Sequence, residues 1–219
     1  MATRLVLAEL ADAYRARSSV AVAFESVGGV DAARRVQAGE AFDVVVLAAD
    51  AIDKLEAGGH VVAGSRADLV RSAVAVAVKR GAPRPDIATE AALRAAVLAA
   101  KTIGYSTGPS GTALLKLFER WGIADQVRGR VVQAPAGVPV GALVARSDAE
   151  LGFQQLSELM HEGDVDIVGS MPPGCEIVTT FSAGICTASK QPEAVAALLA
   201  FLRSPVADAA KERQGMTAA

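Results

Sequence analysis

The sequence is poor in aromatic residues and in cysteine. Only 4% of its 219 residues are Phe, Trp or Tyr, and Cys175 and Cys186 are its two cysteines. Two cysteines at this spacing are too few for a metal cage or a disulfide framework, so we interpret both as small buried apolar residues. A core with few aromatic rings must be built from small side chains, which suits close packing of helices on a sheet.

Long apolar runs and an excess of charge of one sign are also lacking. No apolar run approaches the roughly 20 residues that a membrane span needs. The formal net charge is −2, without a run of Lys or Arg that would bind nucleic acid. The first residues, MATRLVLAELADAYRARSS, lack the basic, apolar, small-residue order of a secretion signal. As written, the sequence therefore predicts a cytoplasmic, globular protein with no membrane span and no nucleic-acid partner.

What the sequence has is an alternation of helix-like and strand-like segments. Residues 3–17 have the spacing of an amphipathic helix, VAVAF at 20–24 is typical of a strand, and a helix that Gly39 closes follows. DVVVLAA at 43–49 has no polar face, which predicts a central strand covered on both sides in a parallel sheet. The alternation continues to the C-terminus and predicts the α/β class with mostly parallel strands.

Two unusually long extended stretches suggest a division into two lobes. They lie near residues 70–80 and 176–188 and have the length of strands that cross between lobes. The prediction is a discontinuous first lobe with an inserted second one. Its limits are 1–73 and 181–219 for lobe 1, and 74–180 for lobe 2.

Three junctions in front of helices carry small and hydroxyl residues. They are ATR after Met1, SVGG at 26–29 and STGPSG at 106–111. Helix N-termini present free N–H groups and a positive dipole end, and glycine lets a ligand approach the backbone. Together the junctions predict a cradle of neutral donors for an oxyanion. In a purely structural alternative, Thr3, Ser26 and Ser110 merely cap their helices.

Familiar catalytic and nucleotide motifs are missing. STGPSGT lacks the lysine of a P-loop, and SVGGV does not fit GxGxxG. The segment STGPSG at 106–111, called the serine turn below, is one residue short of GxSxG. The two histidines, His60 and His161, fit surface positions, while Asp43 and Asp50 fit the start of a strand and of a helix. No cofactor, metal or catalytic residue is predicted from these patterns.

A glutamine pair closes the apolar stretch LGFQQ. In a strand, Gln154 and Gln155 point to opposite faces, so at least one carboxamide should reach the carboxyl end of the strand. There it could donate to a ligand oxygen. The competing account is that the pair satisfies buried polar groups of the core.

The order of these pieces resembles the periplasmic molybdate-binding protein family. The resemblance rests on residues 2–59, where SVGG follows VAVAF and DVVVLAA comes before DAIDKLEAGG, and on the C-terminal QPEAVAALLAFLRSPVADAAKERQGM. It implies a type II solute-binding protein of ABC transporters, in which two doubly wound lobes joined by two crossing strands clamp a small anionic ligand. The ligand-binding positions that it implies are Ala2, Thr3, Ser26, Gly28 and Ala49 in the first lobe, and Thr107, Ser110, Gly111, Gln154 and Gln155 in the second.

The sequence departs from the family pattern in two places, and these affect the predicted ligand and the predicted sheet. The glutamine pair stands where family members commonly have a tyrosine-bearing segment, and the serine turn is wide and amide-rich, so an organic carboxylate fits at least as well as a metal oxyanion. The family's first β-strand is also missing, because the sequence begins at the first binding loop. We expect pairing with a partner chain, as in a homo-oligomer, or a rearrangement to fill that slot. A start codon assigned too late would instead mean a periplasmic protein.

Two functions follow from these observations. The first is a solute-binding protein, without catalysis, that closes two lobes on a small oxyanion or organic carboxylate and delivers it to an ABC permease. The alternative is a cytoplasmic sensor or a small isomerase-type enzyme on the same scaffold that acts on an unsaturated acid or ketone. Such an enzyme could use Glu25 or Asp50 as its base.

Overall fold

Helices and strands alternate along residues 2–219, the part of the chain that the computed structural model describes. No helix in this part has the length and apolarity that crossing a bilayer requires. The α-helices are α1 Arg4–Arg15, α2 Gly29–Gln37, α3 Ala49–Ala57, α4 Glu90–Ala99, α5 Pro109–Arg120, α6 Ala124–Val127, α7 Val140–Ala145, α8 Leu156–Leu159, α9 Pro192–Leu202 and α10 Asp208–Arg213. The strands are β1 Val44–Ala48, β2 Ala67–Lys79, β3 Ile103–Tyr105, β4 Val131–Gln133, β5 Leu151–Gln155, β6 Val165–Ser170, β7 Val178–Ile185 and β8 Met216–Ala218.

The chain forms two compact units. Unit 1 contains the residues up to Ser72 together with Thr179–Ala219, and unit 2 contains Ala73–Val178. Strand β2 contributes its first half to unit 1 and its second half to unit 2.

Local sequence signals position several helices as predicted. The apolar face of α1 is buried through Leu7, Leu10 and Tyr14. Gly39, just beyond α2, has φ +77°, a left-handed conformation that ends a helix at little cost for glycine. Pro205 begins a short 3₁₀ turn between α9 and α10, because proline cannot continue the preceding helix.

The sheet of unit 1 differs from the parallel arrangement that the sequence predicts. Strand β1 pairs antiparallel with β7, with Ala48 opposite Phe181, and the first half of β2 pairs antiparallel with β8. Val44 and Val46 on β1 are only half-buried. The prediction of a fully buried parallel strand is therefore wrong here, because a run of β-branched residues reports strand propensity but not the direction of its neighbour.

The predicted strand VAVAF does not form. Residues 20–28 carry no strand, although Val22 and Phe24 are half-buried against the apolar cluster of α1, α9 and α10, and Ala21 and Ala23 are exposed. The period-two alternation of burial is present, but within the described chain no strand pairs with this segment. A strand exists only when a neighbour completes its hydrogen-bond ladder.

Unit 2 contains strands that pair in parallel. Strand β3 pairs parallel with both β4 and β5, whereas the second half of β2 pairs antiparallel with β5 and β6. The prediction of mostly parallel strands is wrong, because β2 runs antiparallel to β5, β6 and β8, and β1 runs antiparallel to β7. The carboxyl ends of β3, β4 and β5 lie at one edge of this sheet, which is where ligands bind in open α/β folds.

Each unit has an apolar cluster on either side of its sheet. In unit 2 one cluster gathers around Phe118 and Phe153 and the other around Val140 and Val144. Both cysteines are buried and free, as predicted. Burial raises the pKa of the Cys186 thiol to about 11, so this side chain stays neutral and serves as a small apolar residue.

Candidate functional site

The turn between β3 and α5 places two serines side by side. Ser106 Oγ and Ser110 Oγ are 3.0 Å apart, and Ser110 is buried. Gly108 is the N-cap residue of α5, and Pro109 takes the first helical position, where a missing N–H does not matter. Ser110 lies inside the helix, so it does not have the capping role of the structural alternative. Thr107 is exposed in the same turn.

Gly111 allows this turn to fold back tightly on the helix. A Cβ atom on Gly111 would lie 1.9 Å from the carbonyl oxygen of Ser106 and 3.0 Å from the ring of Tyr105. Its backbone N–H already donates to the carbonyl of Gly108 at 3.1 Å. The feature that sets Gly111 apart is therefore its lack of a side chain, because this lets Ser106 lie against the start of α5.

The glutamine pair lies at the same edge of the sheet. Tyr105 at the end of β3 is in parallel register with Phe153. The serine turn, which follows β3, and the glutamine pair, which ends β5, therefore lie at neighbouring strand ends. Both glutamines are buried. The Gln154 carbonyl oxygen Oε1 accepts from Gly141 N–H at 3.2 Å. For Gln154, this contact fits the alternative in which a buried amide satisfies polar groups of the core.

Two glycines on adjacent strands explain why Gly141 is close enough to bond Gln154. Gly104 on β3 lies opposite Gly152 on β5. A Cβ on Gly152 would be 2.4 Å from Val144 Cγ2, and one on Gly104 would be 2.9 Å from Val140 Cγ1. Strand glycines often mark such close approaches, and here they let α7 pack directly on the sheet.

Glu158 on α8 is a further candidate residue, which no motif in the sequence marks. Its Oε2 accepts a hydrogen bond of 2.7 Å from Gln154 Nε2. Burial is the main cause that raises the pKa of Glu158, and the nearby Glu162 carboxylate adds to it, while the Gln154 amide acts in the opposite direction. The segment LSELMHE has the pattern of an ordinary amphipathic helix, so only the packing shows that this carboxyl group is partly buried.

The raised pKa leads to a prediction about stability. The folded protein holds the Glu158 proton more tightly than the unfolded chain, so stability falls as pH rises from the ordinary value of 4.5 through the folded pKa. We expect Glu158→Gln, which cannot ionise, to raise Tm at pH 7 relative to the wild type, with a smaller difference at pH 4. Differential scanning fluorimetry at both pH values, with Glu119→Gln on the exposed face of α5 as control, measures this. A lower Tm for Glu158→Gln at pH 7 would contradict it.

In unit 1 the three predicted contact segments precede helices, as expected. Ala2 and Thr3 are buried in front of α1, and Thr3 is its N-cap residue but makes no side-chain cap bond. Ser26 lies two residues before Gly28, the N-cap residue of α2, and is exposed. Helix α3 begins at Ala49, directly after β1. Capping therefore does not account for the Thr3 and Ser26 hydroxyls.

The two carboxylates that the sequence offers as a base, Glu25 and Asp50, lie in unit 1, next to Ser26 and Ala49 in the chain. The Glu25 carboxylate accepts hydrogen bonds from Nη1 and Nη2 of Arg35, and these bonds lower the pKa of Glu25. A carboxylate with a lowered pKa is a weaker base. Asp50 is exposed and lies 3.6 Å from Lys54 Nζ. The structure thus favours Glu158 over Glu25 and Asp50 as a proton acceptor.

An open depression of about 370 Å³ in unit 1 contains none of the predicted contact residues. Arg66 lines it and donates to the carboxylates of both Asp53 and Asp68. The lining also holds Glu56 and Arg203. Its two arginines are therefore balanced by Glu56 and Asp68, and no excess positive charge is left to attract an anion. The helix starts described above, and not this depression, therefore remain the candidate contacts within each unit.

These features define the class of protein. A mixed α/β architecture, a long strand β2 that contributes to both units, and helix starts with neutral donors at strand ends are those of a type II periplasmic-binding-protein-like fold. The chain belongs to the bacterial extracellular solute-binding protein family, whose model matches residues 1–217. The fold and family predicted from the sequence are confirmed.

Individual relatives differ in what their names describe. The chain is 39% identical over 214 residues to an aconitate isomerase from a Pseudomonas species, covering 95% of this chain and 81% of that protein. The periplasmic molybdate-binding protein of Azotobacter vinelandii superposes with a TM-score of 0.81 at 18% identity, covering 99% of this chain and 96% of the other. PEB3 of Campylobacter jejuni with bound L-phospholactate gives a TM-score of 0.73 at 15% identity, covering 100% and 96%.

Proposed function

We propose that this protein binds a small organic polycarboxylate of the aconitate class. The observation that carries the proposal is the turn from Ser106 to Gly111, where two hydroxyls 3.0 Å apart precede and open the 12-residue helix α5. A helix start with hydroxyl donors stabilises a carboxylate through backbone N–H groups and the helix dipole. The 39% identity to an aconitate isomerase supports an organic acid as the ligand.

The neutral character of the candidate contacts supports the same class of ligand. None of the ten contact positions predicted from the sequence carries a charge. Several carboxylates on one carbon skeleton can be bound at separate points, each by its own group of neutral donors. The likeness to the molybdate-binding protein, at 18% identity, supports the fold and not a metal oxyanion.

A ligand panel tests this proposal. Cis-aconitate, trans-aconitate, the saturated analogue tricarballylate, citrate, molybdate and sulfate are each added at the same concentration while Tm is measured. At about 100 times Kd, a bound acid should raise Tm by roughly 5–10 °C. A rise with molybdate but with none of the carboxylates would overturn the proposal.

The serine turn allows a more specific prediction. Ser110→Ala removes a hydroxyl that we expect to donate to a ligand carboxylate, and hydrogen bonds to charged groups contribute ~1.5–3 kcal/mol. Binding of aconitate, measured by isothermal titration calorimetry, should weaken by about 10- to 100-fold. Thr112→Ala, a hydroxyl deletion at an exposed position of the same helix, is the matched control. Equal affinities of the two variants would argue against a role for Ser110.

We also propose a second activity, isomerisation of the bound acid. The name of the 39% identical relative favours it, and so does the partly buried carboxyl of Glu158 at the same strand edge as the serine turn. Without this activity the chain would act as a binding protein alone, delivering its ligand to an ABC permease. Nuclear magnetic resonance spectra of cis-aconitate after prolonged incubation with the protein distinguish the two roles, since an unaltered acid excludes the isomerase.

A further inference from the structure

We propose that Glu158 carries the proton in a double-bond shift within the bound polycarboxylate, an inference that rests on the binding and isomerisation proposed above. Three observations point to this side chain. It is half-buried, it follows the strand end that neighbours the serine turn, and it is hydrogen-bonded to the buried Gln154. No motif in the sequence marks it.

Gln154 orients the Glu158 carboxyl group. The amide of Gln154 is held at both ends, because Oε1 accepts from Gly141 N–H at 3.2 Å while Nε2 donates to Glu158 Oε2 at 2.7 Å. Gly141 belongs to the first turn of α7, which packs tightly on the strand glycines. Helix α7 thus fixes Oε2 of Glu158 through the buried amide of Gln154. A carboxyl group has two oxygens, so one can keep this bond while the other exchanges a proton.

To move the double bond of an unsaturated tricarboxylate, one group must remove a proton from the ligand and return it. The Glu158 carboxylate removes a proton from the methylene carbon next to the double bond, and the electron pair of the broken C–H bond delocalises over the allylic system and its carboxylates. Protonated Glu158 then returns the proton to the vinylic C–H carbon at the far end of the allylic system, and the double bond moves by one position. The acid is neither oxidised nor reduced, no water is consumed, and either geometric isomer can form.

The surroundings of Glu158 suit this task. A catalytic base works best when its pKa lies near the working pH, and burial raises the pKa of Glu158 in that direction. The neighbouring Glu162 carboxylate acts in the same sense. Burial that opposes the charged form of Glu158 lowers the stability of the fold when the group ionises, and functional sites commonly carry such a cost.

The test compares Glu158→Gln with Glu119→Gln, an exposed carboxamide substitution in the same unit. Calorimetry with cis-aconitate measures binding, and proton spectra in D₂O follow both isomerisation and deuterium uptake at carbon. We expect Glu158→Gln to bind within about threefold of the wild type and to isomerise about 10²- to 10⁴-fold more slowly, the usual loss for a general base. Glu119→Gln should match the wild type in both.

The other outcomes separate failure of the inference from failure of the proposed binding. If Glu158→Gln isomerises as fast as the wild type, or if the wild type binds cis-aconitate without converting it, the inference is wrong while the proposed binding stands. If the wild type does not bind aconitate, the proposed function itself fails. Should Glu158→Gln not fold, Glu158→Ala is assayed with added formate, which should restore turnover by replacing the missing carboxylate. Misfolding of both variants would mean a structural role and would overturn the inference.

Discussion

Gly111→Ala should weaken aconitate binding by at least about 100-fold while leaving most of the secondary structure intact. The new methyl carbon would lie 1.9 Å from the Ser106 carbonyl oxygen, a backbone atom that cannot rotate away. Either the serine turn or the start of α5 must move, and a misplacement of about 1 Å of groups that position a ligand can cost two orders of magnitude. Calorimetric titration and far-ultraviolet circular dichroism measure the two effects separately.

Gly129→Ala provides the matched control for this substitution. Gly129 also lies in unit 2, and a Cβ atom there would meet no atom within 4 Å. The control should bind with wild-type affinity. If Gly111→Ala binds equally well, the serine turn is not part of the ligand site, and the proposed contacts of Thr107, Ser110 and Gly111 fail together.

Phe118→Ala should lower the free energy of unfolding by ~3–5 kcal/mol, the usual cost of removing a buried aromatic ring. Phe118 is 1% exposed. Its ring packs edge-on against Phe153 at 6.4 Å and beside Trp121 at 6.1 Å between ring centroids. The substitution leaves a cavity between α5 and β5, the two elements that carry the serine turn and the glutamine pair.

The single tryptophan makes this effect measurable in one unit. Trp121 lies in unit 2, so its fluorescence during urea unfolding reports on that unit. Leu115→Ala, at a half-buried position of the same helix, should cost less than half as much as Phe118→Ala. Equal midpoints for both variants would show that the Phe118 ring contributes no more than a partly exposed side chain.

The proposed catalysis on a solute-binding fold agrees with the general relation of fold to function. The same architecture can host different activities, because chemistry depends on a few side chains at the binding edge. A receptor that binds an unsaturated acid already orients the methylene group of its ligand. One carboxyl with a raised pKa, correctly placed, is the addition that converts binding into proton transfer.

Several elements could be predicted from local sequence because their causes are local. Helix α5 follows from glycine and proline ahead of an apolar helical pattern, and the end of α2 from Gly39. Strand VAVAF was predicted wrongly, since its propensity is present but its ladder has no partner within residues 2–219. The short strand β8 was missed, because its three residues become a strand only through pairing with β2.

The candidate site shows the same division. The serine turn and the glutamine pair stand out in the sequence as unusual residue types at segment ends. In the structure they lie at the ends of the neighbouring strands β3 and β5. Glu158 does not stand out, because a glutamate on a short amphipathic helix is ordinary until its burial and its bond to Gln154 are known. The structural role of Gly104 and Gly152 likewise depends on the approach of α7.

The amino-acid sequence by itself determined the α/β class, the family and the helix starts rich in small and hydroxyl residues. These properties depend on residue type and on spacing within short segments. The tertiary structure alone decided strand direction, the failure of VAVAF to pair, and the environment of Glu158. Those properties depend on contacts between residues far apart in the chain, and burial and hydrogen bonding arise only when such residues pack together.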